Sequence, residues 1–214
     1  SSDLRWNALH TSDATLRAFL DSKQKGGSWE STQTIAPGSP AIAASGTLSI
    51  RLAWTPIPYT SDSGTYRVFV SQTQGGPYAL MGTTGSKTDD SLIVTGLTPL
   101  TTYYFVLETV TNPHLKNPNT VTSERTSVIT ATTLPTETLS VTISGTGSGS
   151  VASVPSGIDC GSTCSAPYAH GELVTLTATP AAGSTFSGWS GACSDTASTC
   201  QVTMDGARTV SVVF

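Results

Sequence analysis

Four cysteines are the residues of this chain whose spacing most directly predicts chemistry. Three residues separate Cys160 from Cys164, and six separate Cys193 from Cys200. Thiols grouped in this way form disulfides in an oxidising compartment or hold a structural zinc ion. A gap of six is wide for a zinc ligand pair, and the lysine-poor, Ser/Thr/Gly-rich composition indicates an exported protein. Disulfides are therefore the favoured interpretation, with zinc as the alternative.

Loop-closure entropy does not choose the disulfide pairing. Two local bridges would stabilise the fold by about 2 to 2.5 kcal/mol each, whereas a crossed bridge from Cys160 to Cys200 would contribute about 4 kcal/mol. The crossed and local pairings both stay open on this argument.

The other residues capable of chemistry are scattered along the chain. His10, His114 and His170 lack metal-binding spacing, and we predict that they lie on the surface. Asp89 and Asp90 could bind calcium, but adjacent side chains of an extended chain point to opposite faces, which favours a solvated turn. Neither a Gly-x-Ser-x-Gly nucleophile motif nor a phosphate-binding glycine loop occurs. We predict no catalysis, metal or cofactor; a Ser–His–Asp site assembled only by the fold is the alternative.

Several aromatic residues are candidates for ligand contact. Trp189 lies in a Gly-Trp-Ser-Gly turn, where its ring could stack on a sugar, although burial in a small core is the favoured interpretation. Trp29, Tyr59 and Tyr78 are weaker candidates for exposed platforms, and packing or turn roles are favoured for each.

Composition excludes several classes of protein. Charged residues are 11% of the 214 positions, and only ten are basic, which gives no electrostatic footprint for nucleic acid. No apolar run approaches the roughly 18 residues of a membrane helix. With 37% hydrophobic residues and a net charge of −4, the chain can build a core.

Residues 1–40 contain the one helical pattern, predicted at about 12–25. Ser12 is the expected N-cap with Asp13 in the first turn, and Gly26 and Gly27 end the helix. Its apolar face, a predicted partner contact, consists of Leu16, Phe19 and Leu20. This short helix must dock to be stable, against the next domain, as the tail of an upstream domain, or on a partner subunit.

Residues 41–134 alternate apolar and polar side chains in about seven short segments, the pattern of a two-sheet sandwich. The region resembles the fibronectin type III domain, with a strand ending at Trp54 and another at Tyr66–Val70. Its most specific motif is Leu97-Thr-Pro-Leu-Thr-Thr-Tyr103. This resemblance implies that the Tyr103 hydroxyl bonds to nearby backbone, as in a tyrosine corner. The loop at 112–121 is longer than usual for the family.

Residues 139–214 resemble the divergent internalin B-repeat-like modules of bacterial surface and secreted proteins. Matching segments include Gly157–Cys164, Val174–Pro180, Phe186–Cys193 and Cys200–Met204. The resemblance, with proximity in sequence, implies Cys160–Cys164 and Cys193–Cys200 bridges and a small β module. Residues 135–138 have the composition of a linker.

Together these features predict a mainly β protein: a fibronectin type III-like sandwich, a disulfide-stapled β module and one short helix. The first residues, Ser-Ser-Asp, suggest a processed chain or a fragment. We expect a non-catalytic spacer, stalk or assembly subunit, secreted or on a bacterial surface. Its expected partners are other subunits or neighbouring domains. The alternative is an accessory, carbohydrate-binding or adhesion region of a secreted polysaccharide-degrading enzyme.

Overall fold

A computed structural model describes residues 3–214 of the chain, which divides into two compact units. The first unit is Ser1–Thr133 and the second is Leu134–Phe214. Within the described residues, strands predominate and there is a single α-helix. The prediction of a mainly β protein with one short helix is confirmed.

The helix, α1, spans Ala14–Lys23, inside the predicted range. Its N-cap is Asp13, not Ser12, and the Asp13 carboxylate accepts hydrogen bonds from two backbone N–H groups of the first turn. The prediction was wrong by one residue because Asp13 has an extended backbone and an equally suitable acceptor. Gly26 and Gly27 follow the helix with positive φ, and a short 3-10 turn lies at Glu30–Thr32.

Eight strands of the first unit form two antiparallel sheets. Their bounds are β1 Gly38–Ser45, β2 Ser49–Thr55, β3 Gly64–Ser71, β4 Ala79–Thr83, β5 Ser91–Thr95, β6 Thr102–Thr111, β7 Val121–Thr122 and β8 Ile129–Thr132. One sheet has the order β1-β2-β5, and the other β4-β3-β6, with β7 and β8 each paired to β6. This is the two-sheet layout that the resemblance to fibronectin type III implied.

The core of the sandwich is built by residues at alternate strand positions. Its buried members include Ile50, Leu52, Trp54, Tyr66, Val68, Phe105 and Leu107. The ring of Trp54 meets that of Tyr66 edge-on at 5.2 Å. The Tyr103 hydroxyl accepts a hydrogen bond of 2.9 Å from the Thr98 backbone N–H, which is the bond expected of a tyrosine corner.

The second unit contains another eight strands in two four-stranded sheets. Their bounds are β9 Thr136–Ser144, β10 Gly149–Val154, β11 Asp159–Cys160, β12 Ser165–Ala169, β13 Leu173–Pro180, β14 Gly188–Gly191, β15 Thr199–Thr203 and β16 Arg208–Val213. The orders are β11-β10-β13-β15 and β12-β9-β16-β14, and β9 pairs with β16 in parallel. Residues 136–138 are therefore not linker, because they already pair with β12.

Both predicted disulfide pairings are present in the second unit. Cys160–Cys164 joins Cα atoms 4.4 Å apart, and Cys193–Cys200 joins Cα atoms 6.3 Å apart. Cys160 and Cys200 are buried within the core, against which Cys193 packs. The bridges therefore attach the connections at 161–164 and 193–199 to buried strand positions. Such bridges matter in a small unit, because a short chain buries a smaller fraction of its surface on folding.

Replacing Tyr103 by Phe tests the tyrosine corner. The change leaves the Thr98 N–H without its acceptor in a partly buried place, so we expect a loss of about 1 kcal/mol in the free energy of unfolding. Tyr104→Phe is the matched control, because Tyr104 is half-buried on the same strand. Urea unfolding curves of the two variants should differ; equal midpoints would contradict a stabilising role for the corner.

Removing either disulfide by a double Cys→Ala change should lower the free energy of unfolding by about 2 kcal/mol, since each closes only a short loop. Intact mass analysis after alkylation should show four modified thiols in reduced, unfolded wild type and none without reduction. Alkylation of non-reduced protein would rule out the two bridges.

Candidate functional site

Trp189, the leading candidate for sugar contact, lies in the core of the second unit. Its side chain is 5% exposed, and its indole N–H donates to the Ala197 carbonyl at 3.0 Å. The Phe186 ring packs 5.7 Å from it and 6.3 Å from Phe214. The ring face is thus occupied by protein, so the platform role is wrong and the core interpretation fits.

The remaining aromatic candidates are also engaged inside the fold. Trp29 is 2% exposed and donates its indole N–H to the Asp21 carboxylate at 2.8 Å. Tyr59 is buried, and Tyr78 is half-buried, with a hydroxyl that has no hydrogen-bond partner among residues 3–214. Of the aromatic side chains that the structure describes, Phe19 alone is exposed.

The apolar face of α1 stays open within the described part of the chain. Leu16 is 47% exposed and Phe19 56%, while Leu20 is partly buried. The helix has no buried residue. Of the three docking alternatives, packing of this face on the adjacent sandwich is not observed, and a contact with a partner remains a prediction.

Sequence reasoning missed a buried lysine at one end of the sandwich. Lys87 is 1% exposed, and its ammonium lies 4.1 Å from the centre of the Tyr59 ring. The Lys87 Nζ donates to the Thr111 hydroxyl at 3.0 Å. That hydroxyl is in turn 2.7 Å from the hydroxyl of Thr34, in the segment before β1. The lysine is thus part of a contact between the N-terminal segment and β6.

Burial dominates the ionisation of this lysine cluster. Loss of hydration lowers the pKa of Lys87 to about 8, although the Asp62 carboxylate opposes the shift. Burial, aided by a hydrogen bond from its hydroxyl to Asp62, raises the pKa of Tyr59 well above its usual value. The arrangement stabilises a protonated phenol beside a lysine that is half-deprotonated in mildly basic solution.

His114 lies beside this cluster and is not the surface residue that the sequence suggested. Its side chain is 12% exposed, with Nδ1 3.5 Å from the Asp62 carboxylate. Nδ1 accepts from the Lys116 N–H at 3.3 Å, and the ring meets Trp6 edge-on at 6.5 Å. Asn117 adds a bond of 2.7 Å to the Trp6 carbonyl. The long loop at 112–121 thereby holds the N-terminal segment.

A second charged group lies on the outer face of the same sheet. Glu108 is 8% exposed, and its oxygens lie 3.4 Å from Arg67 and 3.6 Å from Arg125. The Arg125 guanidinium also stacks 4.2 Å from the centre of the Phe69 ring. Each charge has a partner, so the group stabilises the sheet and presents no free acid or base.

The clefts of the two units hold few groups that could react. A cleft of about 370 Å³ in the first unit is lined partly by His10, Glu124 and Arg125. No hydrogen bond or ion pair joins His10 to another described residue, and Arg125 is held by Glu108. The cleft therefore shows no nucleophile aligned with a base.

No ion site emerges among residues 3–214. The Asp89 carboxylate accepts from the Ser86 N–H at 2.9 Å, and the Asp90 carbonyl accepts from the Trp54 N–H at 2.8 Å, as in an ordinary turn leading into β5. No three His, Cys, Asp or Glu side chains of the described chain meet in a way that could hold a metal. In the same residues, no helix has the length and apolarity to cross a membrane.

The observed architecture is that of a protein built from two β units, and comparison with known families describes those units more closely. Residues 139–214 match the family model described as the divergent InlB B-repeat domain. The resemblance predicted for the second unit is thus confirmed. A search of curated proteins finds no relative of this chain.

Solved structures similar to this chain include three human fibronectin type III domains. The domain of fibronectin type III domain containing protein 3 is 22% identical, with a TM-score of 0.36, covering 52% of this chain and 92% of that one. The sixth domain from the same-named protein is 19% identical, with a TM-score of 0.34 and the same coverage. The third domain of the KIAA0343 protein is 16% identical, with a TM-score of 0.36, covering 52% and 91%. The sandwich assignment here rests on the strand order and the Tyr103 bond.

Replacing Lys87 by Met tests the buried amine. Because the folded pKa is below the unfolded value of about 10.4, the unfolded chain binds more protons between pH 8 and 10. The unfolding free energy of the wild type should therefore rise by about 2 kcal/mol over that interval. The raised pKa of Tyr59 opposes this rise by only about 0.4 kcal/mol, because the unfolded phenol, with a pKa of about 10, begins to ionise only at the top of the interval.

The Lys87→Met variant should lose this rise, whereas Lys25→Met, at an exposed position, should retain it. Denaturant unfolding at a series of pH values measures both. A wild type whose stability is flat or falls from pH 8 to 10 would contradict the buried, destabilised ammonium.

Proposed function

We propose that this chain is a non-catalytic structural module of an extracellular or cell-surface bacterial protein, acting as a spacer, stalk or assembly subunit. The InlB B-repeat match and the fibronectin type III-like sandwich suggest a structural or surface module. Two disulfides are consistent with an oxidising, extracellular environment.

The internal use of reactive side chains is the observation that carries this proposal. Lys87 and Glu108, which catalysis could use, are buried, and each is paired with other side chains of the first unit. The His10 cleft has no aligned partner for proton transfer. A module whose charged groups stabilise its own sheets is suited to holding other parts of a protein at a fixed separation.

The alternative, an accessory carbohydrate-binding region, has less support. Sugar-binding sites commonly use an exposed aromatic ring, and Trp189, Trp29 and Tyr59 are all buried. Phe19, on a short helix, is the exposed ring of the described residues. The Lys23 ammonium lies 5.0 Å from the centre of this ring and covers a face on which a sugar would stack.

Affinity electrophoresis tests the choice between these functions. In native gels containing soluble polysaccharides such as xylan, β-glucan or mannan, we expect the mobility of the chain to equal that in a plain gel. A retardation that disappears in Phe19→Ala but persists in Leu115→Ala, at a fully exposed loop position, would favour carbohydrate binding and overturn the proposal.

Labelling of intact producing cells tests the location. Antibodies against the chain should stain unpermeabilised cells or detect the protein in the medium, and non-reduced protein from that fraction should carry both bridges. Detection only after permeabilisation, with free thiols, would contradict an extracellular module.

A further inference from the structure

The strands at the sheet borders of the first unit differ in how well they are protected from pairing with another chain. The border strand β1 contains Pro40 and two register shifts, and β4 contains one register shift. Proline and irregular register are common ways to prevent edge-to-edge association. The border strand β5, Ser91–Thr95, has neither of these features and carries no charged residue.

The free edge of β5 presents unpaired backbone groups. The Trp54 N–H donates to the Asp90 carbonyl, and the β2–β5 register runs on without a shift. Because bonding alternates along an antiparallel pair, Leu92 and Val94 bond to β2, while Ser91, Ile93 and Thr95 direct their N–H and C=O groups away from it. None of these outward groups bonds elsewhere in the described chain.

Exposed apolar side chains flank this edge. Ile93 is 57% exposed on β5, and Leu80 and Met81 are 52% and 43% exposed on β4. The two strands approach one another where Gly82 meets the Leu92 side chain. Pairing at β5 would therefore satisfy backbone groups and remove apolar surface from water in the same step.

We propose that the β5 edge pairs antiparallel with the β5 edge of a second copy of this chain, joining the two three-stranded sheets. This inference rests on the proposed structural function. It specifies β5 as the contact surface and a second copy of the chain as the partner. If the two-fold axis passes between the two Ile93 residues, each Ile93 opposes the Ile93 of the other copy. Ser91 of each copy then opposes Thr95 of the other. All of the outward N–H and C=O groups then meet acceptors and donors.

Charge also favours a second copy over another occupant. The strand Ser-Leu-Ile-Val-Thr is uncharged, so identical chains bring no like charges into the contact. Arg51, the charged neighbour of Ile93 in the sheet, has its backbone on β2, and its guanidinium donates to the Ser91 hydroxyl. Because five paired residues bury little area, the association should be weak. It should therefore be observed at high protein concentration, as where copies are crowded on one surface.

Another regular, uncharged border strand, β15 in the second unit, provides a matched control. The Ala178 N–H donates to the Ser198 carbonyl, which fixes the alternation of hydrogen bonds between β13 and β15. The backbone N–H and C=O groups of Thr199, Gln201 and Thr203 therefore point away from β13, towards the free edge. These side chains are polar, so pairing there would bury no apolar group. A charge introduced at Gln201 matches one at Ile93 without touching the proposed contact.

Sedimentation equilibrium of the full, non-reduced chain tests the pairing. Wild type and Gln201→Lys should approach the mass of two chains as concentration rises, while Ile93→Lys should remain at the mass of one with an unchanged melting temperature. A wild type that stays monomeric up to its solubility limit, or dimers lost in Gln201→Lys but kept in Ile93→Lys, would overturn the proposal.

Cross-linking gives a second measurement that does not depend on a disruptive charge. Opposed residues in a hydrogen-bonded antiparallel pair have Cα atoms about 5.5 Å apart, within reach of a disulfide. Ile93→Cys should form a covalent dimer under mild oxidation, and Gln201→Cys should not; the reverse result would contradict the geometry. Monomeric wild type with unretarded mobility on polysaccharide gels would remove the pairing and leave the spacer function standing.

Discussion

Most strands of the two units bury one row of side chains and leave the other row nearer to water. On β9, Leu139 and Val141 are buried, Ser140 between them is half-buried, and Thr138 and Thr142 on either side are exposed. The solvent rows are filled with hydroxyl residues more than with charges, which accounts for a chain that is only 11% charged yet β-rich. Threonine suits such positions because its branched side chain favours a strand and its hydroxyl bonds to water. Each sheet then packs through its apolar row alone.

Buried polar groups modify this arrangement in the first unit, where the charged ones have polar partners. Lys87 reaches Thr111, and Thr111 reaches Thr34, so a charged residue and two hydroxyls satisfy one another across strands and the N-terminal segment. Glu108 is held between two arginines on the opposite face of the same sheet. An unpaired buried charge would cost several kcal/mol, so these contacts also fix where the N-terminal segment can lie. The hydrogen bonds and ion pairs of these side chains thus stabilise the first unit itself.

The burial of side chains that could contact a ligand also supports the proposed structural role over a binding role. Aromatic rings that could have contacted a ligand fill small cores, as Trp189 does between Phe186 and the Ala197 carbonyl. What the surface offers is backbone hydrogen bonding at open strand edges and a few exposed apolar side chains, Ile93 among them. Such features suit association between like surfaces better than recognition of a small molecule.

The sequence by itself determined the features that depend on neighbouring residues. Alternation predicted the strands around Trp54 and Tyr66, a short motif predicted the Tyr103 bond, and short spacing with family resemblance predicted both disulfides. Helix and strand periodicity are local, so they are visible in the chain. Only the tertiary structure decided that Lys87 is buried and His114 largely so, because their partners, Thr111 and Asp62, are distant in sequence. It also decided which strands lie at the borders, since that depends on the order in which strands pair and not on the composition of any one strand.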